Sequence, residues 1–178
     1  MPELIYRTAT DLAGIIRDKK VSAAEILDAH LDQISKYNPR LNAIVTLNEE
    51  AARQRAHEAD AALANGESWG PLHGVPVTIK DAFETAGLRT TSSFKPLKNY
   101  IPERDATVVV RLRQAGAIIL GKTNMPMLAL DIQSDSPIFG RANNPWDITC
   151  TPGGSTGGGA ASLAAGMSPL EIGSDFGG

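Results

Sequence analysis

The sequence is poor in the residues that build several common kinds of functional site. It has one cysteine, Cys150, and three histidines among 178 residues, so it cannot form a disulfide framework and offers no paired ligand spacing for a metal ion. Its N-terminal segment lacks the basic front, apolar core and small-residue cleavage site of a secretory signal. We therefore expect a cytoplasmic protein that uses neither a metal nor another cofactor.

Long apolar runs and clustered positive charge are missing as well. No apolar run approaches the roughly 18 residues that a membrane span needs. Lysine and arginine are scattered along a chain of net charge −3, so a basic stripe along a nucleic-acid backbone is not expected. These absences argue against a membrane or nucleic-acid partner. With 42% hydrophobic residues, the length is sufficient for a domain with its own core.

Local patterns in the first third of the chain predict packing helices. Ser22 and Glu25 form a capping-box pattern before AEILDAHLDQISKY, and Asn38-Pro39 is expected to end that helix. LNAIVTL is typical of a short strand. Residues 49–64 then form an Ala-rich segment that favours a further helix.

The middle of the chain has the alternation of an α/β sheet. In VPVTIK, Val75, Val77 and Ile79 alternate with other residues, which predicts a strand that ends at Lys80. Asp105 is expected to cap a helix over TVVVRLRQA, and AIILG is expected to form the next strand. Sheets built from such strand, helix, strand successions carry their chemistry at the carboxyl ends of the strands.

Glycine is concentrated near the C-terminus, where nine of the 17 glycines lie in residues 153–178. A flexible linker is disfavoured because helical GGAASLAAGM and apolar LEIG interrupt the glycines. Phosphate binding is disfavoured because no Gly-Lys-Ser/Thr follows and the spacing is not that of a dinucleotide fingerprint. The remaining interpretation is a close-packed backbone around Ser155, with SDFGG presenting several N–H groups in one direction, as in an oxyanion site.

Several separated motifs carry a family resemblance. GGSTGGGAASLAAGMSPLEIGSDFGG closely resembles the glycine- and serine-rich signature of the amidase signature family, and VPVTIKD resembles its lysine-bearing strand. The similarity extends through GKTNMP, FGRANNPWD and the N-terminal helices. It implies an α/β fold with a large mixed β-sheet flanked by helices, of which residues 1–178 are the N-terminal part of a single amidase domain. A partial sheet of this kind exposes edges and apolar faces, so we do not expect it to fold alone as a monomer.

The resemblance also implies a catalytic unit of one lysine and two serines. Lys80 matches the family's lysine, and Ser155 matches the serine that follows a cis peptide bond. The family's nucleophilic serine comes directly after the second Gly-Gly pair, here Gly177-Gly178, so residues 1–178 end just before its expected position. By the same correspondence, backbone N–H groups of Phe176, Gly177 and Gly178 are expected to bind the substrate's developing oxyanion.

In such a unit, Lys80 and Ser155 act as a proton relay. A serine hydroxyl is a poor nucleophile until a base takes its proton, and an amide nitrogen is a poor leaving group until an acid protonates it. Lysine acts as a base only when neutral, so burial has to lower the pKa of Lys80 below its usual value of about 10.4. Thr156, Ser174 and Asp175 are expected to support this unit.

Other reactive side chains are interpreted as structural. His30 and His57 fall on predicted packing helices and His73 falls in a turn, so a Ser-His-Asp triad is not expected. Cys150 lies near the glycine-rich segment and is expected to be a buried, inert thiol.

The stretch MPMLALDIQSD has two interpretations. In members of the family it borders the pocket for the acyl group, so its apolar residues with one acid suggest a hydrophobic acyl group. The alternative is ordinary core packing. The residues concerned are Met127, Ala129, Leu130 and Asp131.

Three functions remain open. The first is an amidase that hydrolyses a carboxamide to a carboxylate and ammonia or an amine through a seryl acyl-enzyme. The second is the amidase component of a glutamine-dependent tRNA amidotransferase, although LALDIQSDSPIFGRANNPW is more similar to the hydrolases. The third is an inactive truncated fragment without a nucleophile. The expected partners are a small-molecule amide and the remainder of the amidase chain, and a homodimer is left open.

Overall fold

The fold is mixed α/β, with one mixed β-sheet flanked by helices, as the sequence predicts. The computed structural model describes residues 2–175, and the expected oxyanion donors Phe176, Gly177 and Gly178 lie outside them. In chain order the elements are α1 (Pro2–Ile5), α2 (Ala9–Arg17), α3 (Ala23–Leu41), β1 (Ile44–Leu47), α4 (Glu49–Ala64), β2 (Pro76–Lys80), a 3₁₀ turn (Lys95–Leu97), α5 (Thr107–Gln114), β3 (Ile118–Thr123), a second 3₁₀ turn (Met127–Ala129), β4 (Asp135–Ser136), β5 (Gly140–Arg141), α6 (Gly157–Ala164) and β6 (Glu171–Ile172).

The main sheet has the strand order β1-β3-β2-β6. β2 is parallel to both β3 and β6, and β1 pairs with β3 antiparallel. Lys80 is therefore at the carboxyl end of a central strand, opposite Thr123 of β3. Binding and catalytic groups collect at that edge of parallel strands.

A bulge in β3 decides which way its last side chains point. The pairing runs from Val77 with Ile119 directly to Thr78 with Gly121, so Leu120 is left without a partner on β2. After this extra residue, Lys122 pairs with Ile79 and shares its face of the sheet.

Two hydrophobic clusters cover the two faces of the sheet, because successive strand residues point to opposite sides. The larger cluster packs α2, α3, α4 and α6 against Val75, Ile118 and Leu120. The smaller cluster packs α5 against Val77, Ile79 and Ile119. The strand ends between these clusters are therefore shielded from solvent.

The start of α3 agrees with its sequence signal. The Glu25 N–H donates to Ser22 Oγ at 3.1 Å, and the Ser22 N–H donates to Glu25 Oε2 at 2.9 Å. This reciprocal pair is a complete capping box.

The end of α3 differs from the prediction. The helix continues past Pro39 to Leu41 and ends at Asn42, which adopts the left-handed conformation. The side chain of Asn38 accepts the N–H groups of Ala43 and Ile44 at 3.0 and 2.9 Å. Asn38 thus does not end the helix, and its side chain anchors the segment that follows the helix.

The predicted cap of α5 is also wrong. Ala106 is the N-cap residue, and its side chain makes no capping bond. Asp105 instead accepts the Ala86 N–H at 2.7 Å and pairs with Arg113 Nε at 2.9 Å. Its carboxylate joins the loop after β2 to the helix, an interaction between segments that a local sequence pattern does not contain.

No helix within residues 2–175 is long and apolar enough to cross a bilayer.

Candidate active site

Lys80 brings the residues of the predicted relay together. Its side chain is fully buried at the end of β2. Nζ lies 2.7 Å from Ser155 Oγ and 3.0 Å from Thr156 Oγ1. It also lies 3.0 Å from both the carbonyl oxygen and Oγ of Ser174. The structure therefore groups Lys80 and Ser155 with two of their three expected supporting residues.

The number of oxygen atoms around Nζ fits both charge states of the amine. An ammonium group donates three hydrogen bonds, and a neutral amine donates two and accepts one. Four oxygens lie within 3.0 Å. Three of these belong to hydroxyl groups, which can donate as well as accept. Ser155 Oγ–H can consequently donate to neutral Lys80 without any rearrangement of heavy atoms.

Burial shifts Lys80 in the direction that base catalysis needs. Loss of hydration lowers the pKa of Lys80 below that of an ordinary lysine, and the carboxylates of Glu171 and then Asp175 partly oppose this shift. The four oxygens that contact Nζ carry no formal charge. The amine is thus held in a polar setting that does not lock it into its protonated form.

The turn before α6 presents Ser155 to Lys80. The Gly154–Ser155 peptide bond is cis, as the resemblance implies. Thr156 is the N-cap residue of α6, yet its side chain makes no capping bond. Its hydroxyl donates to the Ser174 carbonyl at 3.0 Å instead and accepts from Lys80. Because the Thr156 hydroxyl does not cap α6, it can join the hydrogen bonds around Lys80.

Glycine is required where α6 approaches the neighbouring backbone. A Cβ atom on Gly158 would overlap the backbone of Asn124. The Gly158 N–H donates to the Asn124 carbonyl at 3.1 Å, and the Gly157 N–H donates to Ser134 Oγ at 2.9 Å. The glycine-rich sequence therefore allows the helix start to dock onto the end of β3, which fixes the position of Ser155 just before it.

A second buried lysine was missed by the sequence analysis. Lys122 Nζ donates to the Phe83 carbonyl and Thr90 Oγ1, both at 2.7 Å, and lies 3.6 Å from Asp81 Oδ1. Burial lowers the pKa of Lys122 to about 8, with Asp81 opposing. Burial raises the pKa of Asp81, against the nearby Lys122 charge and the hydrogen bonds from Thr91. The available signal was a lysine directly after the apolar run AIILG.

A buried carboxyl group on β6 was missed too. Thr123 Oγ1 donates to Glu171 Oε1 at 2.6 Å, and Oε2 is shielded from solvent without a hydrogen-bond partner among the described residues. Burial raises the pKa of Glu171 to about 7, with hydrogen bonds and the two lysines opposing. A glutamate inside the apolar stretch LEIG was the signal that could have revealed it.

The stretch expected to border the acyl pocket lies beside Ser155 and is exposed. A Cβ on Gly154 would lie 3.0 Å from the carbonyl carbon of Ile132 and 3.2 Å from the Asp131 oxygen. Leu130 and Ile132 are 69% and 74% exposed, and Met127 is 44% exposed. Core packing therefore does not account for this apolar segment among the described residues.

The remaining reactive side chains do not join the relay. His30 and His73 are buried and bonded to backbone groups, and His57 is exposed on α4. Cys150 was expected to be buried, but it is exposed. It lies in a surface turn where its thiol contacts Asp147 at 3.5 Å. Within residues 2–175 no group of three or more His, Cys, Asp or Glu side chains could hold a metal ion.

Comparisons with known proteins agree on a single family. The Amidase family model matches residues 25–178. Over 178 residues the chain is 47% identical to a glutamyl-tRNA(Gln) amidotransferase subunit from Acidothermus cellulolyticus, covering 100% of this chain and 35% of that relative. The chain thus spans 35% of the length of this curated relative.

Solved structures give the same answer at the level of the fold and the sequence. 6-Aminohexanoate cyclic dimer hydrolase superposes with a TM-score of 0.84 at 33% identity, covering 94% of this chain and 33% of that one. The peptide amidase from Stenotrophomonas maltophilia superposes with a TM-score of 0.85 at 33% identity, covering 90% and 34%. Together with the family match and the glycine-rich signature, these similarities show that the chain belongs to the amidase family.

Proposed function

We propose that the full-length gene product hydrolyses a carboxamide to a carboxylate and ammonia or an amine, through an acyl-enzyme. The observation that carries this proposal is the 2.7 Å contact between Ser155 Oγ and the buried Nζ of Lys80. Similarity to a solved peptide amidase and a cyclic dimer hydrolase supports the same reaction class.

The first half-reaction begins with neutral Lys80. A serine expected next after Gly178 attacks the carbonyl carbon, and its proton passes to Ser155 Oγ as Ser155 gives its own proton to Lys80 Nζ. The oxyanion is stabilised by backbone N–H groups, for which Phe176, Gly177 and Gly178 remain the predicted donors. Lys80 ends this step as an ammonium that donates to the surrounding oxygens.

The same two residues then return the proton. Lys80 reprotonates Ser155 as Ser155 protonates the amide nitrogen, so that the C–N bond breaks and the amine leaves neutral. Water then attacks the acyl-enzyme and loses its proton along the same path, which releases the carboxylate and restores the serine. One lysine and one hydroxyl therefore supply both the base and the acid.

The acyl group that fits this site is apolar. The exposed side chains of Met127, Leu130 and Ile132 lie on the segment whose backbone abuts Gly154, next to Ser155. An apolar acyl group placed there would shield these side chains from water. We therefore expect amides of hydrophobic carboxylic acids to be hydrolysed faster than acetamide.

The proposal is tested with the full-length product and a panel of carboxamides that differ in acyl hydrophobicity. Lys80→Ala and Ser155→Ala should each lower kcat/KM by roughly 10²- to 10⁴-fold, the range typical of acid and base groups. Lys98→Ala, which changes an exposed lysine, is the matched control and should leave kcat/KM unchanged. A folded Lys80→Ala enzyme with full activity would contradict the proposal.

The intact mass decides whether an inactive product has been assayed. A product near 18.8 kDa that hydrolyses none of the amides would overturn the hydrolase proposal and favour the inactive fragment. Activity in a product of the relatives' length supports it.

A second candidate is the amidase component of a glutamine-dependent tRNA amidotransferase. It is favoured by the 47% identity to the glutamyl-tRNA(Gln) amidotransferase subunit from Acidothermus cellulolyticus over the whole chain. In this case the amide substrate is glutamine, and the ammonia passes to an acceptor held by partner subunits. The Lys80 and Ser155 chemistry is the same in both candidates, so mutation of these residues does not separate them.

Purification separates the two candidates. The tagged full-length product is isolated from its native host, and amide hydrolysis is measured for the product alone and for any stoichiometric complex. A lone protein that is fully active on hydrophobic amides favours the hydrolase. Glutamine hydrolysis that requires a co-purifying protein favours the amidotransferase.

A further inference from the structure

Glu171 lies on the same face of the sheet as Lys80. In the β2–β6 pairing Glu171 is opposite Thr78, and Thr78 and Lys80 are two residues apart on β2. Residues two apart on a strand point to the same side, and paired residues share a face. The carboxyl side chain therefore projects from the neighbouring strand into the layer that contains the proton relay.

The glutamate side chain reaches across β2. Its Oε1 accepts a hydrogen bond from Thr123 on β3, at 2.6 Å. β3 and β6 flank β2 on opposite sides, so a bond between Thr123 and Glu171 spans the central strand. Thr123 is itself the partner of Lys80 in the register. The carboxyl group thus lies over β2, near the start of the Lys80 side chain.

The sequence of α6 leaves room for this carboxyl group. A Cβ on Gly159 would lie 2.6 Å from Cγ of Glu171, 2.7 Å from its Cδ and 2.7 Å from its Oε1. Any larger residue at position 159 would compete for the space that the carboxyl fills. The absence of a side chain at Gly159 therefore leaves the space that the Glu171 carboxyl group fills.

The carboxyl group is only half satisfied by hydrogen bonds. Oε2 is solvent-shielded and has no hydrogen bond of good geometry among the described residues, although the Thr78 hydroxyl on β2 is close enough to help lower the pKa of the carboxyl group. A buried polar atom without a well-formed hydrogen bond is unfavourable. An ionised carboxylate in such a place needs a nearby positive charge, and the lysines of β2 and β3 supply it. The site thus pairs Glu171 with Lys80 at longer range than a salt bridge.

We propose that Glu171 is a positioning residue whose buried carboxylate balances the charge of protonated Lys80 and so sets the pH at which the relay is active. This inference rests on the proposed function, in which neutral Lys80 is the base. In this role Glu171 acts through Lys80.

The charged groups that act on Glu171 and Lys80 lie on β2, on β3, and on β6 and the segment after it. Lys80 from β2 lies on the same face as the glutamate, and Lys122 from β3 lies on the opposite face. The charges of both lysines oppose the effect of burial, which raises the pKa of Glu171 to about 7. Asp175, beyond β6, adds to the effect of Glu171 in raising the pKa of Lys80 against desolvation. α6, with the sequence GGGAASLA, contributes no titratable side chain.

The sign of the effect follows from these neighbours. An ionised Glu171 favours the ammonium form of Lys80, so its neutralisation should make Lys80 release its proton at lower pH. Because the neutral amine is the base, the acidic limb of kcat/KM moves to lower pH. A residue with a merely structural role would change stability or the plateau rate without moving this limb.

The test is the pH profile of the full-length enzyme with Glu171→Gln. Gln keeps the size of the side chain and an acceptor for Thr123, so we expect a folded enzyme whose acidic limb is displaced downward by about one pH unit. Glu58→Gln, which changes an exposed glutamate on α4, is the matched control and should leave the profile in place. An unmoved acidic limb in active Glu171→Gln enzyme would overturn the proposal.

A second variant covers the case in which Gln does not fold. Glu171→Ala with Gly159→Ser removes the carboxyl group and refills part of its space from α6, and we expect the same downward shift. An active double variant with the wild-type profile would overturn the proposal as firmly. Lys80→Ala, assayed in parallel, distinguishes failure of the proposed function from failure of this inference. Full activity of Lys80→Ala would refute the base role of Lys80. An inactive Lys80→Ala enzyme together with an unmoved acidic limb in the Glu171 variants would refute only the role of Glu171.

Discussion

Two buried lysines lie near the carboxyl ends of neighbouring parallel strands, and they differ in whether a carboxylate of residues 2–175 lies within 4 Å of the amine. Lys80 ends β2 and Lys122 lies one residue before the end of β3, and neither is exposed to solvent. Lys122 has a carboxylate 3.6 Å away, in Asp81. The hydrogen bonds of Lys80 go to the hydroxyl and carbonyl oxygens of Ser155, Thr156 and Ser174.

Under the proposed function, one sheet edge holds both a structural charge, Lys122, and a reactive amine, Lys80. A carboxylate beside a buried ammonium favours the charged form of the amine against the effect of burial, and removal of either partner leaves an uncompensated charge. An amine among hydroxyl groups can release its proton, because its neighbours can donate as well as accept. We therefore expect mutation to separate stability, which depends on Lys122, from activity, which depends on Lys80.

The largest separation is expected from the same substitution at both positions in the full-length enzyme. Lys122→Met strands the buried Asp81 carboxylate and should lower the free energy of unfolding by about 3–5 kcal/mol. Lys80→Met leaves the buried Glu171 without the amine, but burial already raises the pKa of Glu171 to about 7, so this carboxyl group can take up a proton instead. The free energy of unfolding should therefore fall by only about 1 kcal/mol, with loss of activity. Chemical denaturation followed by circular dichroism, together with kcat/KM of the folded fraction, measures both effects.

The comparison fails if the two variants behave alike. Equal destabilisation by Lys80→Met and Lys122→Met would mean that both lysines serve the fold. A Lys122→Met enzyme that is stable but inactive would place Lys122 in the chemistry instead.

Local patterns together with the family resemblance predicted that Lys80 and Ser155 belong to one site, but they did not reveal the second lysine. A strand that ends in lysine and a glycine-flanked serine are both short segments, and the family resemblance joins them. The contact of Lys122 with Asp81 depends on the bulge at Leu120, which turns Lys122 to the face shared with Ile79. Such a register shift arises from pairing between segments about 40 residues apart, and short-range periodicity does not carry it.

The same distinction explains the other differences from the sequence prediction. Asp105 was assigned to a helix cap from its position before TVVVRLRQA, but its carboxylate bonds to Ala86 and Arg113. The pattern LEIG does not reveal Glu171, because the carboxyl group bonds to Thr123 and fills the space beside Gly159. In each case a polar group bonds to a distant segment, which local propensity does not encode.

An intermediate effect is expected when the structural pair is neutralised as a whole. Asp81→Asn combined with Lys122→Met removes both charges, and Asn keeps an oxygen for the hydrogen bonds that Thr91 donates to Asp81 at 3.0 and 2.5 Å. Replacing a buried ion pair by neutral groups is often close to neutral in stability. The double variant should therefore recover most of the loss caused by Lys122→Met, to within about 2 kcal/mol of the wild type.

Denaturation of the two single variants and the double variant gives the coupling free energy between the residues. Additive losses, with the double variant least stable of the three, would show that the two side chains act independently and that charge pairing is not what Lys122 contributes.

The smallest effect concerns one of the hydroxyl oxygens that contact Lys80, and it tests whether a single hydroxyl neighbour matters. Thr156→Val removes an acceptor 3.0 Å from Lys80 Nζ and the donor to the Ser174 carbonyl, with little change in side-chain volume. Because a neutral hydrogen bond contributes about 1 kcal/mol, we expect kcat/KM to fall by roughly fivefold. Thr156→Ser keeps the hydroxyl and should remain within about twofold of the wild type. Steady-state kinetics of both variants decides the point: equal activities for Val and Ser would mean that the hydroxyl of Thr156 is dispensable, and that Ser155 and Ser174 alone suffice to keep Lys80 ready for proton transfer.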